Sequence, residues 1–266
     1  MDWSRLPYKI NRALRVYNKM YLQRQTPILI YTPGRVGSTG LYMTLDTLGQ
    51  FVIHIHTLNA QEIHDKDQPG TTVWAYQHII QPQKEAKVIT LVRDPVALII
   101  SDFFNKLKWL AGAKDAYNHL SVDELCELFR TRYFDDGRHT IKLKWYETEF
   151  NSALNVDVFA HPFDVERGVG SFHQGLYDVL ILRTESDDSI KAQAISEFLG
   201  IPPFEVQRVN EAEKRDYAEV YRAFKKQITL PKQHLNVIYD SHYATQFFTE
   251  KERQSLRDKW GDKVSV

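Results

Sequence analysis

Short apolar runs alternate with longer amphipathic segments along most of this chain. Four of the runs have the length and the content of branched apolar residues that are typical of buried strands. They cover residues 27–32, 51–55, 87–92 and 178–183. A fifth segment, residues 71–78, is rich in Thr, Val and aromatic residues, and its composition predicts another strand. Strands that alternate with helices favour an α/β domain around a largely parallel sheet.

Helix signals follow several of the predicted strands. Leucine residues recur at helical spacing after Ser38, and Gly49 stands where a C-terminal cap belongs. Asp94 and Pro95 have the residue types of an N-cap and a first helical position, and an apolar stripe follows them to Leu110. Further helices are predicted within 112–150, over 190–199 before Gly200, in most of the remaining chain and, from a capping box of Thr249 and Glu252, through Trp260.

The composition is that of an ordinary globular protein. Of the 266 residues, 43% are apolar and 26% are charged, which excludes a disordered or fibrous chain. Lys and Arg number 34, as do Asp and Glu, so the zero net charge argues against a protein that coats nucleic acid. The single cysteine, Cys126, excludes an intramolecular disulfide. With no signal-peptide pattern and no run of about 18 apolar residues, we expect a cytoplasmic protein without a transmembrane segment.

A glycine-containing loop lies between the first predicted strand and its helix. Residues 32–39 read Thr-Pro-Gly-Arg-Val-Gly-Ser-Thr. Glycines let backbone N–H groups converge, a helix N-terminus adds positive potential, and Arg35, Ser38 and Thr39 add donors for phosphate or sulfate oxygens. The alternative is a tight structural turn with a capping serine. A Walker A loop requires Gly-Lys-Ser/Thr, and the absence of lysine here disfavours ordinary ATP or GTP hydrolysis.

A second candidate anion site follows the strand over 87–92. Arg93 ends that run, and Ser101 lies eight residues later, two turns into the next predicted helix. Because the carboxyl ends of parallel strands open on one edge of a sheet, this pair is expected beside the loop at 32–39. Two adjacent anion sites indicate a ligand with two separated anionic groups. Taken singly, Arg93 would be a surface residue and Ser101 a hydroxyl bonded back to its own helix.

Charge is segregated along the chain although its sum is zero. Residues 1–45 carry seven basic side chains and one acidic side chain, a local charge of +6 around the loop. Residues 145–189 carry nine acidic and two basic side chains, a local charge of −7. A basic amphipathic helix predicted near residues 8–22 would pack on its own domain, on a partner or on a membrane surface.

Together these motifs resemble the sulfotransferases that use 3′-phosphoadenosine 5′-phosphosulfate (PAPS). Residues 34–39 are similar to the loop that holds the 5′-phosphosulfate, and Arg93 with Ser101 is similar to the pair that holds the 3′-phosphate. Residues 179–201, a strand and a helix ending in Phe-Leu-Gly, fit the same pattern. Lys144-Trp145-Tyr146, Glu149 and residues 157–164 resemble a sulfotransferase-like bacterial branch of capsular polysaccharide synthesis proteins. The resemblance runs from about residue 26 to 260.

The resemblance implies an enzyme of α/β class, with a P-loop-NTPase-like parallel sheet flanked by helices and a helical C-terminal portion. One sulfotransferase-like domain would span 1–266, with a basic N-terminal helix at 1–25, a nucleotide-binding core at 26–200 and helices at 201–266. PAPS would donate a sulfuryl group to a hydroxyl of a carbohydrate or polysaccharide, leaving adenosine 3′,5′-bisphosphate, with no metal. The implied nucleotide-binding residues are Gly34, Arg35, Val36, Gly37, Ser38, Thr39, Arg93 and Ser101.

Two departures from the family pattern stand out. The branch's Asn-Lys-Trp-Tyr-Ser motif is replaced here by Leu-Lys-Trp-Tyr-Glu at residues 143–147. The Arg-Lys-Gly-x-x-Gly segment that completes the 3′-phosphate site in cytosolic sulfotransferases is missing, and Arg215, Lys225 or Lys226 would have to replace it.

Sulfuryl transfer requires a base for the acceptor hydroxyl and positive charge for the leaving phosphate. Arg35 and the loop amides would stabilise the phosphate. His78 is the first candidate for the base, because it ends the strand predicted over 71–78 on the edge that holds both anion sites. His56 is the second candidate, because it ends the preceding strand and shares a face with His54. Either histidine would otherwise be a hydrogen-bonded structural residue.

Several other side chains have competing interpretations. His54 and His56 with His64 and Asp65 would begin a zinc site, but their spacing fixes no complete ligand set. Trp74, Trp109 and Trp145 would stack on adenine or sugar rings, or else belong to the core. Ser101, Asn105 and Lys108 share one predicted helical stripe that lines either a polar pocket or solvent.

Two alternative functions stay open at this point. One is a P-loop kinase or nucleotidase, which the missing lysine disfavours. The other is a protein of the same fold that binds a nucleotide or a polysaccharide without catalysis. A nucleic-acid partner is not expected.

Overall fold

The computed structural model describes residues 18–65, 68–112, 116–207 and 216–261, apart from the side chains of residues 62, 64 and 65. The strands in this part of the chain are β1 (Ile28–Tyr31), β2 (Val52–Ile55), β3 (Ala86–Val92), β4 (Val169–Gln174) and β5 (Tyr177–Arg183). They form one sheet in the order β2-β1-β3-β5-β4. All neighbours pair in parallel except β4, which is antiparallel to β5 at the sheet edge.

Helices cover both faces of the sheet and make up most of the C-terminal part. They are α1 (Ser38–Thr47), α2 (Ala60–Asp65), α3 (Gly70–Ala75), α4 (Pro95–Leu110), α5 (Val122–Phe129), α6 (His139–Leu143), α7 (Asn151–Leu154), α8 (Asp188–Leu199), α9 (Ala218–Gln227), α10 (Lys232–Tyr239), α11 (His242–Phe247) and α12 (Glu250–Trp260). Short π-helical segments lie at Asn18–Leu22, Tyr76–Ile80, Arg130–Asp135 and Tyr146–Phe150, and 3₁₀ turns at Ala116–Asn118 and Val158–Ala160.

Alternate residues of the strands point to opposite faces, and each face has its own apolar cluster. On one face, the strand residues Ile30 and Leu91 pack with Leu41 of α1 and Ile195 of α8. On the other face, a larger cluster joins the sheet to α4 and to the C-terminal helices. The four strands predicted from continuous apolar runs are confirmed, as is a largely parallel α/β sheet.

The strand predicted over residues 71–78 is wrong, because this segment is helical. Helix α3 continues directly into the π-helical turn at Tyr76–Ile80. The buried side chains are Thr72, Ala75 and Ile79, which recur at a helical spacing of three and four residues. Intrinsic strand preference is weak, and burial of one helical face overrides it here.

Strand β4 has no counterpart among the sequence predictions. Its sequence is Val-Gly-Ser-Phe-His-Gln, and Gly170 is its one buried residue. An edge strand can be polar because one side of its backbone has no neighbouring strand, and only Gly170 of β4 is fully buried. The apolar alternation used to find strands is therefore absent.

The carboxyl group of Asp94 joins the end of β3 to the C-terminal helices. As predicted, Asp94 caps α4, accepting a hydrogen bond from the backbone N–H of Val96 at 3.1 Å. The same buried carboxyl group accepts hydrogen bonds from Tyr239 Oη at 2.8 Å and Trp260 Nε1 at 2.9 Å. The helices over 218–260 are thus fixed beside Arg93. The predicted capping box of Thr249 and Glu252 is also present.

Most of the predicted basic N-terminal helix lies outside the described residues. Of that segment, Asn18–Leu22 forms a π-helical turn, and Lys19 Nζ donates to the carbonyl oxygens of Gly49 and Gln50 at 2.8 and 2.9 Å. This contact attaches the segment to the C-terminal end of α1. Within the residues that the structure describes, no helix combines the length and apolar character needed to cross a membrane.

Candidate functional site

The loop after β1 has the strained, concave backbone expected of an anion-binding turn. Gly34, Arg35 and Gly37 have left-handed φ angles of 73°, 64° and 80°. Glycine adopts this conformation easily, whereas the arginine does so at a cost of about 1 kcal/mol. Left-handed residues within a short turn direct successive backbone N–H groups toward one side. Gly37 is the N-cap of α1, so the helix N-terminus begins where this turn ends.

The two predicted anion motifs meet at Arg35. Its Nε donates to Ser101 Oγ at 3.1 Å, and Arg93 Nη1 donates to the backbone oxygen of Arg35 at 2.7 Å. Arg35 is therefore in direct contact with two residues that are far from it in the sequence. The expectation that the ends of β1 and β3 open on one edge of the sheet is confirmed.

A polar cavity of about 500 Å³ opens at this junction. It is lined by Pro33, Gly34, Arg35, Gly37, Ser38, Thr39, His56, Arg93, Ser101, Asp102, Asn105, Lys142, Thr184 and Tyr221. Three of these side chains carry positive charge, those of Arg35, Arg93 and Lys142, and one, that of Asp102, carries negative charge. The excess of positive charge in a partly enclosed site favours an anionic ligand.

Most of the predicted site residues line this cavity, but they contribute in different ways. The side chain of Val36 is fully buried. Its carbonyl oxygen accepts a hydrogen bond from Thr184 Oγ1 at 2.8 Å, so the backbone of Val36 holds the loop against the residue that follows β5. The hydroxyl of Ser38 lies 2.8 Å from His54 Nε2. Thr39 lines the cavity. Asn105, on the predicted helical stripe of α4, does so as well.

His56 lies at the cavity with the geometry of a general base. Its Nδ1 is 3.0 Å from the carbonyl oxygen of Thr32, which can only accept, so Nδ1 carries the hydrogen and Nε2 keeps a free lone pair. Although the side chain is exposed, the protein atoms around the ring lower the pKa of His56 below its ordinary value. The positive charges of Lys142 and Arg35 lower this pKa further, against the opposing effect of the Thr32 hydrogen bond. His56 is therefore neutral at pH 7.

His54 supports the loop from the neighbouring position. Burial, with a smaller effect of His56, lowers the pKa of His54 to about 4, so its ring is neutral. The rings of His54 and His56 are 4.7 Å apart, which confirms that they share a face. Among the described residues, no three His, Cys, Asp or Glu side chains are grouped as metal ligands. The side chains of His64 and Asp65, the other members of the alternative zinc site, lie outside the described set.

His78 does not line this cavity. It belongs to the π-helical turn after α3, where its ring stacks on Trp74 with centroids 4.9 Å apart and Nδ1 lies 3.2 Å from Tyr21 Oη. Its choice as a base depended on a strand end that does not exist. The error in secondary structure thus explains why the first candidate was misplaced.

Lys142 is the cavity residue that the sequence predictions missed. It is in α6, its side chain is 15% exposed, and Nζ donates to the carbonyl oxygen of Pro33 at 2.6 Å. Asp102 Oδ1 lies 3.5 Å from Nζ. Burial lowers the pKa of Lys142, and Asp102 partly opposes that effect. The distance of 109 residues between Lys142 and Pro33 in the sequence hid their contact. The proximity of Lys142 in the sequence to Lys144-Trp145-Tyr146 was the available signal.

Residues 117–249 match the model of the NKWYS family, described as "Putative capsular polysaccharide synthesis protein". The match includes half of the chain. The protein belongs to this family. No curated protein and no solved structure matches the chain. The matched segment contains the family-like motif at residues 143–147. It also contains Lys142, so the part of the chain that matches the family supplies one residue of the cavity lining.

In this NKWYS family member, the aromatic residues of the motif are buried, and Tyr146 packs against the carboxyl-terminal half of β3. Trp145 and Tyr146 are buried, at 7% and 1% exposure, so neither is available to stack on a ligand. Tyr146 Oη is within hydrogen-bond distance of Thr90 Oγ1, at 2.9 Å, and of the carbonyl oxygen of Leu91, at 3.1 Å. Trp74 is partly buried against the core. Trp109, near the end of α4, is 78% exposed.

Glu149 connects the matched segment to the loop that follows His56. Its buried Oε1 accepts hydrogen bonds from four donors. They are Tyr31 Oη at 2.6 Å, Thr57 Oγ1 at 2.9 Å, the Leu58 N–H at 2.7 Å and the Asn59 N–H at 3.0 Å. One carboxyl group therefore ties the end of β1 to the chain just beyond β2, where His56 lies.

Glu149→Ala is expected to lower the free energy of unfolding by about 3 kcal/mol or more, because buried backbone and hydroxyl donors lose their acceptor. Glu147→Ala is the matched control, since Glu147 is exposed and its replacement should change stability by less than about 0.5 kcal/mol. Urea denaturation measures both values. Equal stabilities of the two variants would refute the structural role assigned to Glu149.

A second cavity of about 410 Å³ adjoins the first across Gly37 and Thr184. Its walls include Gly40 and Leu41 of α1 and Glu185 after β5. Burial raises the pKa of Glu185, although its Oε1 accepts the backbone N–H of Asp94 at 2.9 Å. The charged side chains of the second lining are Glu185, Asp187, Asp188 and Lys191, so it is mainly acidic where the first is mainly basic.

Proposed function

We propose that this member of the capsular polysaccharide synthesis family is a PAPS-dependent sulfotransferase that acts on a carbohydrate hydroxyl. The observation that carries the proposal is the direct contact of Arg35 with both anion motifs inside a positively charged cavity. A donor with two anionic groups requires two adjacent sites of this kind. A single P-loop-like domain over 1–266, with its nucleotide-binding core over 26–200, would hold them.

The 5′-phosphosulfate would bind the backbone N–H groups of residues 34–39 and the N-terminus of α1. The 3′-phosphate would bind Arg93 and Ser101. Lys225 supplies further positive charge near Arg93. Burial is the larger cause of the lowered pKa of Lys225, and the positive charge of Arg93 lowers that pKa further. Lys225 is thus the preferred replacement for the missing family segment, Lys226 is its neighbour, and Arg215 lies outside the described residues. The nucleoside would occupy the adjoining cavity.

The proposed step exchanges one sulfur–oxygen bond for another and moves one proton. The acceptor hydroxyl oxygen attacks the sulfur, and the bond from sulfur to the bridging phosphate oxygen breaks. His56 Nε2 takes the hydroxyl proton, and adenosine 3′,5′-bisphosphate leaves with the electron pair. Arg35 stabilises the negative charge that grows on the leaving phosphate. The carbohydrate class of the acceptor rests on the family description.

Thermal unfolding with added nucleotides tests the donor. Adenosine 3′,5′-bisphosphate without Mg²⁺ is expected to raise Tm, with about 2.7 kcal/mol of stabilisation at a concentration of 100 times Kd. Mg·ATP should have a smaller effect, since the loop lacks the Walker A lysine. A larger shift with Mg·ATP would favour a kinase and overturn the proposal, and so would negligible shifts with both ligands.

Sulfate transfer from labelled PAPS to polysaccharide acceptors tests the reaction itself. Incorporation of label into the glycan supports the proposal. Tight bisphosphate binding with no transfer to any acceptor tested would instead favour a nucleotide-binding protein without catalysis.

A further inference from the structure

The ammonium group of Lys142 faces the cavity with hydrogen-bonding capacity to spare. Of its three N–H donors, one is used by the carbonyl oxygen of Pro33 at 2.6 Å and a second makes a long contact with Asp102 Oδ1 at 3.5 Å. Asp102 already accepts hydrogen bonds at Oδ2 from Lys106 Nζ at 2.8 Å and Tyr133 Oη at 2.9 Å. One carboxylate thus serves two lysines, and the positive charge of Lys142 is incompletely balanced.

Lys142 and His56 contact consecutive carbonyl groups of the loop. His56 binds the carbonyl oxygen of Thr32, and Lys142 binds that of the next residue, Pro33. Arg93 and Ser101 contact the loop through Arg35 instead. The positive charge of Lys142 also contributes to the lowered pKa of His56. Lys142 and His56 are therefore neighbours in the cavity lining.

We propose that Lys142 is a catalytic residue that contacts a non-bridging oxygen of the sulfuryl group during its transfer. This inference rests on the proposed function, because the sulfuryl group must lie near His56 for the acceptor to attack it. Three non-bridging oxygens share the negative charge of that group, and one ammonium donor offsets part of it. Lys142 takes no proton and forms no covalent bond in the step.

The distinguishing experiment compares two ligands that differ by the sulfuryl group alone. Lys142→Met is expected to weaken binding of PAPS about 10-fold or more while leaving the Kd of adenosine 3′,5′-bisphosphate within about 2-fold, since the loss of one charge-assisted hydrogen bond affects the sulfuryl end alone. Turnover should fall about 100-fold or more. Lys142→Arg, which keeps a charged donor, should recover part of both losses.

Lys106→Met is the matched control. Lys106 also contacts Asp102 but does not line the cavity. Its replacement therefore removes a positive partner from Asp102, as Lys142→Met does, without removing a side chain from the cavity lining. If Lys106→Met reproduces the selective loss of PAPS affinity, Lys142 acts through Asp102 and the proposal fails. Equal weakening of both ligands in Lys142→Met, or of neither, would also overturn it. If Lys142→Met does not fold, Lys142→Gln provides the same comparison.

The two proposals fail in different ways. A wild-type protein that binds neither PAPS nor the bisphosphate contradicts the sulfotransferase itself. A wild-type protein that binds both, with no selective effect at residue 142, contradicts the role of Lys142 alone.

Discussion

His56→Ala is expected to lower kcat for sulfate transfer by about 10²- to 10⁴-fold, the range for loss of a general base. The affinity for adenosine 3′,5′-bisphosphate should change little, because His56 donates to the Thr32 carbonyl and needs no contact with the phosphates in this mechanism. Steady-state kinetics with labelled PAPS, together with calorimetric binding of the bisphosphate, separates the two effects.

The pH profile gives an independent readout of the same residue. A base must be deprotonated, so kcat/KM should rise with pH through the pKa of His56 and level off above it. The protein atoms around the His56 ring and the charges of Lys142 and Arg35 hold that pKa below 6.5, so the acidic limb should lie below pH 6.5. His56→Ala should remove this limb from the residual activity.

His78→Ala is the control for the histidine assignment. His78 lies on Trp74 and near Tyr21, outside the cavity, so its replacement should leave kcat within about 2-fold. A large loss of kcat in His78→Ala, with wild-type turnover in His56→Ala, would reverse the assignment.

Arg35→Met is expected to lower kcat/KM by about 10³-fold and, unlike His56→Ala, to weaken bisphosphate binding as well. The side chain of Arg35 donates a hydrogen bond to Ser101, and its carbonyl oxygen accepts one from Arg93, so Arg35 contributes to both proposed anion sites. Its removal takes one of three positive charges from the cavity lining. Transition-state charge on the leaving phosphate would then lack one of its proposed donors.

Arg35→Lys is the matched variant for this prediction. Lysine keeps the charge but loses the fork of donors, so we expect kcat/KM between the values for Arg and Met. The left-handed φ of 64° imposes a similar strain on Arg, Lys and Met, so differences among the three variants reflect the side chain. Wild-type affinity for the bisphosphate in Arg35→Met would place the anion elsewhere.

Local chemistry accounts for what the sequence predicted well. The strands β1, β2, β3 and β5 are continuous apolar runs because both their faces are covered. The caps at Asp94 and Thr249 depend on residues two or three positions away. Parallel strand order then brings the loop at 32–39 and Arg93 with Ser101 to one edge. These parts of the site need no knowledge of distant contacts.

Contacts between residues far apart in the sequence decided the features that the sequence did not predict. Residues 71–78 became helical because burial at Ala75 and Ile79 outweighed a weak strand preference, and this removed His78 from the site. The polar edge strand β4 depends on pairing with β5. Lys142 reaches Pro33 only because α6 packs against α4, a contact between segments without a shared sequence motif. By itself, the sequence determined the strands, the caps and the loop that form the proposed anion site. Tertiary structure alone decided which histidine and which lysine stand beside it, because those positions depend on contacts between residues far apart in the chain.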